Sequence, residues 1–236
     1  MSGWKAKRFW TSAEVIAEPG GFGVRLDGRA LKTPAKRALI LPTGAMAEAV
    51  AEEWLAVEKV VDPRLMPVTR AANSAVDKVA LQFAEVAEMI AAYGGSDLLC
   101  YRAEGPEGLV VRQRQAWDPM LDWAEARYGA RLVATTGIVP VAQPGASLER
   151  LARAVRATTP FQLTALHDLV ALTGSLVLGL AATEAEFDPE ELWSTSRIDE
   201  IWQAELWGDD EEATETAALK RADFLRARHF WSLAGT

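Results

Sequence analysis

The sequence predicts an α+β protein: a small N-terminal antiparallel β module with one helix over residues 1–68, then a larger, mostly α-helical domain over residues 69–236. Three observations predict it. Residues 22–26 alternate apolar and polar, as a half-buried strand does, and Asp27-Gly28 follows as a two-residue hairpin turn. From Thr43 onward the apolar spacing changes from two to between three and four, the period of a helix. With 236 residues, half of them hydrophobic, the chain has material for one large or two small cores.

Residues 8–17 are rich in aromatic and branched side chains, and Pro19-Gly20-Gly21 turns them toward the strand Phe22–Leu26. A type I′ turn needs positive φ at both central positions, which makes Gly28 a structural anchor of the module. The implied register sets Leu26 opposite Arg29, Val24 opposite Leu31 and Phe22 opposite Thr33, with Arg25 and Lys32 on the other face. Residues 1–41 hold eight Lys and Arg against three acids. Met46, Val50, Trp54 and Val57 then form a helical stripe in which Trp54 anchors the helix to the sheet, before Asp62-Pro63 and Met66-Pro67 break the chain. Thr69 caps the next helix, whose Ala72, Val76, Val79, Phe83, Val86 and Ile90 run to a stop at Gly94-Gly95.

Residues 96–102 are short and extended or irregular. Residues 106–128 read as a helix with Leu109, Ala116, Trp117, Met120, Trp123 and Ala124 inward, kinked or restarted at Pro119 and ended by Gly129. Residues 131–140 are a short extended piece, Ser147 caps a helix to about Ala157, and Thr159-Pro160 opens an apolar helix over residues 161–182. The last helix, residues 211–229, begins with acids and ends with Lys220, Arg221, Arg226 and Arg228, a polarity that suits the helix dipole.

The stretch that stands out is Trp193 to Glu215. From Glu184 to Glu215 thirteen Asp and Glu face one Arg, a balance of -12, while the whole chain carries -8 and the remainder is therefore net positive. Trp193, Trp202 and Trp207, three of nine tryptophans, lie inside this run. Acid mixed with aromatic reads as a surface that binds something. Asp188, Pro189 and Glu191 start a helix there and Gly208 stops it, anchoring its end. At about 100 degrees per residue, Ile198, Ile201, Trp202 and Leu206 fall on a core side, with Glu205 near them and free to take a basic partner. Ser196, Asp199, Glu200, Gln203 and Trp207 gather on a polar side and are the candidate partner-binding residues. A plainer alternative makes the carboxylates a solvated face and Trp207 a lid on the core.

Other chemistry finds little footing. The single cysteine, Cys100, excludes an internal disulfide or a cysteine zinc cluster and reads as a buried small hydrophobe. No GxxxxGK[ST], GxSxG or HExxH motif occurs, so no cofactor or catalytic residue is assigned. His167 and His229 lie far apart, and His167 reads as a satisfied core histidine, so no metal site is expected. The acidic overall balance argues against nucleic acid, and polar residues inside residues 161–182 argue against membrane insertion. The N-terminus has no secretory signal, and a cytoplasmic location follows.

LDGRALKTP (residues 26–34), LPT (41–43), AEEW (51–54), SDLLCYR (96–102), WDP (117–119) and SRIDEIWQAELWG (196–208) occur in this order. Together they resemble the signature blocks of the F-type ATP synthase assembly chaperone specific for the alpha subunit, the ATP-twelve family. The resemblance implies a non-enzymatic chaperone that binds the free alpha subunit of the catalytic head. It would shield the surface later covered by the beta subunit, preventing aggregation or mispairing until beta replaces it. It also implies a small strand-containing N-terminal module followed by a helical domain. In that family an acidic position in the block matching RIDEIWQ is tied to function, and it falls here on Asp199 or Glu200. Mitochondrial members carry a presequence; none is seen here, so the resemblance is to a bacterial cytoplasmic member, expected to be a monomer when free. Two readings from other classes stand beside it: an enzyme for a small cationic substrate using the carboxylates of residues 199–212, and a generic acidic adaptor.

Overall fold

The computed structural model describes residues 7–137, 139–208 and 210–235. Lys5 of the basic stretch and Asp209 of the acidic run lie outside the described residues. The chain forms two compact units. One holds the residues up to Phe83, Thr159–Ala165 and those from His229 on; the other holds Ala84–Thr158 and Leu166–Arg228. The expected division after residue 68 is thereby corrected. Val68 and Ala72, just beyond it, are buried in the core of the first unit, and so are Phe230 and Ala234.

In the first unit, β1 (Ala13–Glu18), β2 (Gly21–Leu26) and β3 (Arg29–Ala30) form an antiparallel sheet in sequence order. Asp27 and Gly28 adopt φ of 46° and 78°, the two positive values the turn demands. The Asp27 carboxylate accepts from the N–H groups of Ser12 at 2.8 Å and Thr11 at 3.0 Å, and these bonds hold it below the usual carboxylate range. Leu26 pairs with Arg29, and the Leu31 N–H reaches the Val24 carbonyl at 2.8 Å. Phe22, however, pairs with Leu41 and not with Thr33. The Thr33 hydroxyl donates to Asp77 at 2.7 Å, and a turn with Lys36 at φ 66° brings Leu41 back beside Phe22.

Helix α1 (Gly44–Leu55) is capped by Thr43, whose hydroxyl accepts from the Met46 N–H at 3.1 Å and donates to the Leu233 carbonyl at 2.5 Å. Trp54 is half-buried against the core, its ring 5.0 Å from that of Trp10 and its carbonyl accepting from Trp10 Nε1 at 3.0 Å. Helix α2 (Pro67–Asp77) opens with proline, and its cap comes from α1. The Glu53 carboxylate accepts from the N–H groups of Val68 and Thr69, each at 2.7 Å. Thr69 thus lies inside the helix it was expected to cap. The single helix expected to run to residue 93 is two, because a 3₁₀ turn at Val79–Leu81 separates α2 from α3 (Phe83–Ala91).

In the second unit, a 3₁₀ turn (Leu98–Cys100) leads into β4 (Tyr101–Arg102), which pairs in parallel with β5 (Thr135–Thr136). Helix α4 (Glu107–Tyr128) runs through Pro119 without restarting and ends at Gly129, φ 66°. Helix α5 (Gly145–Arg156) starts two residues before Ser147, which is buried in its first turn. The apolar stretch is two helices, α6 (Pro160–Thr173) and α7 (Leu176–Ala181), parted by Gly174 at φ 70°. Among the described residues no helix is long and apolar enough to cross a membrane.

Asp97 is fully buried and accepts from the N–H groups of Leu99 and Val177, each at 3.0 Å, which ties the 3₁₀ turn to the start of α7. Burial pushes its carboxyl up to about 6 against those hydrogen bonds, and pushes the Cys100 thiol up to about 12. His167 is only half-buried and pairs with Asp168 at 2.8 Å, a surface pair and not a core histidine. Helices α8 (Pro189–Ser196), α9 (Ile198–Trp207) and α10 (Glu211–Leu233) complete the chain.

Candidate interaction surface

The single helix expected over residues 188–208 is broken at Arg197. The Asp188 side chain caps α8 through the Glu190 N–H at 2.8 Å, as the start signal required. At the other end the Ser196 hydroxyl donates to the Trp193 carbonyl at 2.7 Å and the Arg197 N–H closes on the Ser194 carbonyl at 3.1 Å. A serine bonded back to its own turn competes with helix continuation. The break shifts the angular phase between α8 and α9, so a wheel drawn across both mixes their faces. Ser196 is accordingly buried on α8 and does not belong to the partner-binding surface proposed for it.

Helix α9 meets α4 through Asp199, Trp202 and Glu205. A Cβ on Gly108 of α4 would stand 2.7 Å from Cη2 of Trp202, so glycine is what lets the indole approach. Arg112, four residues on, places its guanidinium over the Trp202 ring at 5.0 Å and forks both Glu205 oxygens at 2.9 Å. This pairing raises Arg112 and lowers Glu205, fixing the charge of each. The neighbouring Gln113, buried, donates to Asp199 at 2.6 Å and accepts from the Ala103 N–H at 2.8 Å. Trp117 Nε1 donates to the Thr195 carbonyl at 2.8 Å. Glu205 therefore takes the basic partner foreseen for it. Arg112 and Gln113 belong to no apolar stripe, and nothing in the local spacing of α4 signals their role.

Asp199 is half-buried and spent on Gln113, whereas Glu200, Gln203 and Trp207 are exposed as expected of the polar side. Glu200 also meets Arg197 at 2.7 Å. The apolar side departs from expectation: Ile198 is buried and Trp202 half-buried, but Ile201 and Leu206 are 40% and 56% exposed. Trp207 is 80% exposed, which removes the alternative that it caps the core. Beyond Gly208, at φ 86°, Asp210 caps α10 through the Ala213 N–H at 2.8 Å, and Glu211 and Glu212 are exposed. Ile201, Leu206 and Trp207 are thus exposed at different sides of α9, and Trp207 shares the side of Glu200 and Gln203, away from α4, an aromatic group in a polar rim as protein-binding surfaces have. An open cleft of about 380 Å³ beside Arg197, Asp210, Glu212 and Lys220 mixes both charges. Among the described residues no group of three His, Cys, Asp or Glu is placed to hold a metal.

The family described as ATP12 chaperone protein matches residues 7–125. The crystal structure of Atp12 from Paracoccus denitrificans is 51% identical, covers 99% of this chain and all of its own, and superposes with a TM-score of 0.96. An Asp-to-Lys variant of the same P. denitrificans protein superposes equally well. Atu1473, a putative chaperone from Agrobacterium tumefaciens, is 42% identical over 97% of this chain and 86% of its own, with a TM-score of 0.92. The mitochondrial protein atp12 of Schizosaccharomyces pombe is 24% identical over 89% of this chain and 76% of its own. A small antiparallel sheet, a helical remainder and these relatives define an assembly chaperone, not an enzyme. The chain belongs to the ATP12 chaperone family, whose work is the assembly of ATP synthase.

Proposed function

We propose that this chaperone binds the free alpha subunit of the F-type ATP synthase catalytic head, in the bacterial cytoplasm, and holds it until the beta subunit takes its place. The observation that carries the reading is the end of α9, where Trp207 stands 80% exposed in a helix whose opposite face is fixed to α4. A tryptophan on a braced helix offers a large contact area with little entropy to lose. Glu200 and the carboxylates opening α10 surround it and favour a partner that presents basic groups beside apolar ones. One exposed tryptophan with a polar rim makes a modest interface, one that the beta subunit displaces without an ATP-driven step. Asp199 serves this surface from behind, by holding α9 to Gln113.

Size exclusion with mass determination tests the reading: this protein is mixed with its cognate alpha subunit, then with beta. A one-to-one complex that dissolves when beta is added is the expected result. No complex at low or moderate salt refutes it.

A further inference from the structure

The sheet of the first unit turns Val24 and Leu26 to the core, and its opposite face carries Ile16, Gly23, Arg25 and Lys32. Gly23 sits in mid-strand, paired with Ile16. Glycine weakens a strand interior by about 1 kcal/mol, and a strand keeps it where φ is positive or where another backbone or a ligand comes close. The backbone here is not left-handed, and no backbone crowds the site. A Cβ would meet only the Glu18 side chain, at 3.1 Å from Cγ, and Cγ1 of Ile16 at 3.6 Å. What the glycine leaves is a notch of about 120 Å³, floored by Gly23 between Ile16, Ala30, Ala38 and Ile40, with Glu18 and Lys32 at its rim. It has room for one aliphatic side chain.

A positive run of chain borders the notch at Lys32 and Ala38. Lys32, Lys36 and Arg37 are all exposed within six positions that contain no acid. Asp77 accepts from the Thr33 hydroxyl at 2.7 Å and the Ala35 N–H at 3.0 Å. Arg37 bonds the Val76 carbonyl at 3.2 Å, no ion pair to Lys32, Lys36 or Arg37 occurs among the described residues, and Glu18 is matched by Arg25 at 3.4 Å. We propose that this outer sheet face is a second docking site for the same partner, taking a segment that presents one aliphatic side chain followed by acidic residues. The inference rests on the proposed function. The aliphatic group fills the notch at Gly23 and the acids meet Lys32, Lys36 and Arg37.

Gly23→Val fills the notch at an ordinary strand position, and Lys32→Glu reverses the rim without touching the core. Each is titrated against immobilised cognate alpha subunit beside the parent protein and a Trp207→Ala variant. Each should lose affinity by about tenfold, with a thermal midpoint within about 2 °C of the parent. If Gly23→Val lowers the midpoint further, Lys32→Glu, exposed and unpacked, decides. Parent-like binding by Lys32→Glu while Trp207→Ala binds weakly overturns the second site and leaves the proposed function standing. Failure of the parent itself to bind the alpha subunit overturns both.

Discussion

Asp97 shows how one buried carboxyl sets a pH dependence. It prefers its proton in the folded protein, with a value of about 6 against an ordinary 3.8, because burial outweighs the bonds from Val177, Ser175 and Leu99. Its contribution to stability is therefore fully present below the ordinary value and is lost as pH rises through about 6. Denaturant titrations should show the parent losing about 3 kcal/mol relative to Asp97→Asn between pH 4 and pH 7; parallel curves would contradict this. Trp207 makes the opposite kind of prediction. Eighty per cent exposed, it contributes little to folding, and Trp207→Ala should leave the midpoint within about 1 °C of the parent while weakening partner binding. Asp199 behaves differently again, since a lysine there strands the buried Gln113 amide. Asp199→Lys should cost about 1–3 kcal/mol of stability by chemical denaturation.

Helices are held here by residues from other helices as much as by their own. Glu53 of α1 caps α2 through two N–H groups, so Glu53→Ala should lower stability by about 1–2 kcal/mol although α1 itself stays intact. Gly108→Ala drives a methyl into Trp202 and should cost about 1–3 kcal/mol, with a change in tryptophan fluorescence as the Arg112 contact is lost. These contacts also mark where sequence reasoning stops. The Asp27-Gly28 hairpin, the Thr43 start of α1 and the Gly129 stop were legible because local chemistry decides each of them. The breaks at Lys78–Gln82, Gly174 and Arg197 were not, since apolar periodicity continues across all three. Of the candidate surface, Glu200, Gln203 and Trp207 were read correctly as exposed. Ser196 was misplaced by the phase shift at Arg197, and Ile201 and Leu206 were assigned inward by a rule that presumes every apolar stripe meets a core.

On the scale of the whole molecule, charge is unevenly spread: residues 184–215 carry -12 in a chain of -8. Association governed by that stretch should slow as salt rises, while dissociation, set by the exposed Trp207, changes little. The first unit is discontinuous in sequence, its core taking Ala165, Phe230 and Ala234 beside Trp10, Val24 and Met46. A fragment of residues 1–83 lacks those groups and should be rapidly cleaved in limited proteolysis where the intact chain is protected. The Thr43 hydroxyl adds a bond that spans 190 positions, to the Leu233 carbonyl. Closing such contacts has a consequence for synthesis. Although its strands are translated first, the β module has no finished interior until the ribosome has passed residue 234, so the segment made earliest is among the last to mature, and the nascent chain spends most of its translation with that apolar surface unsealed.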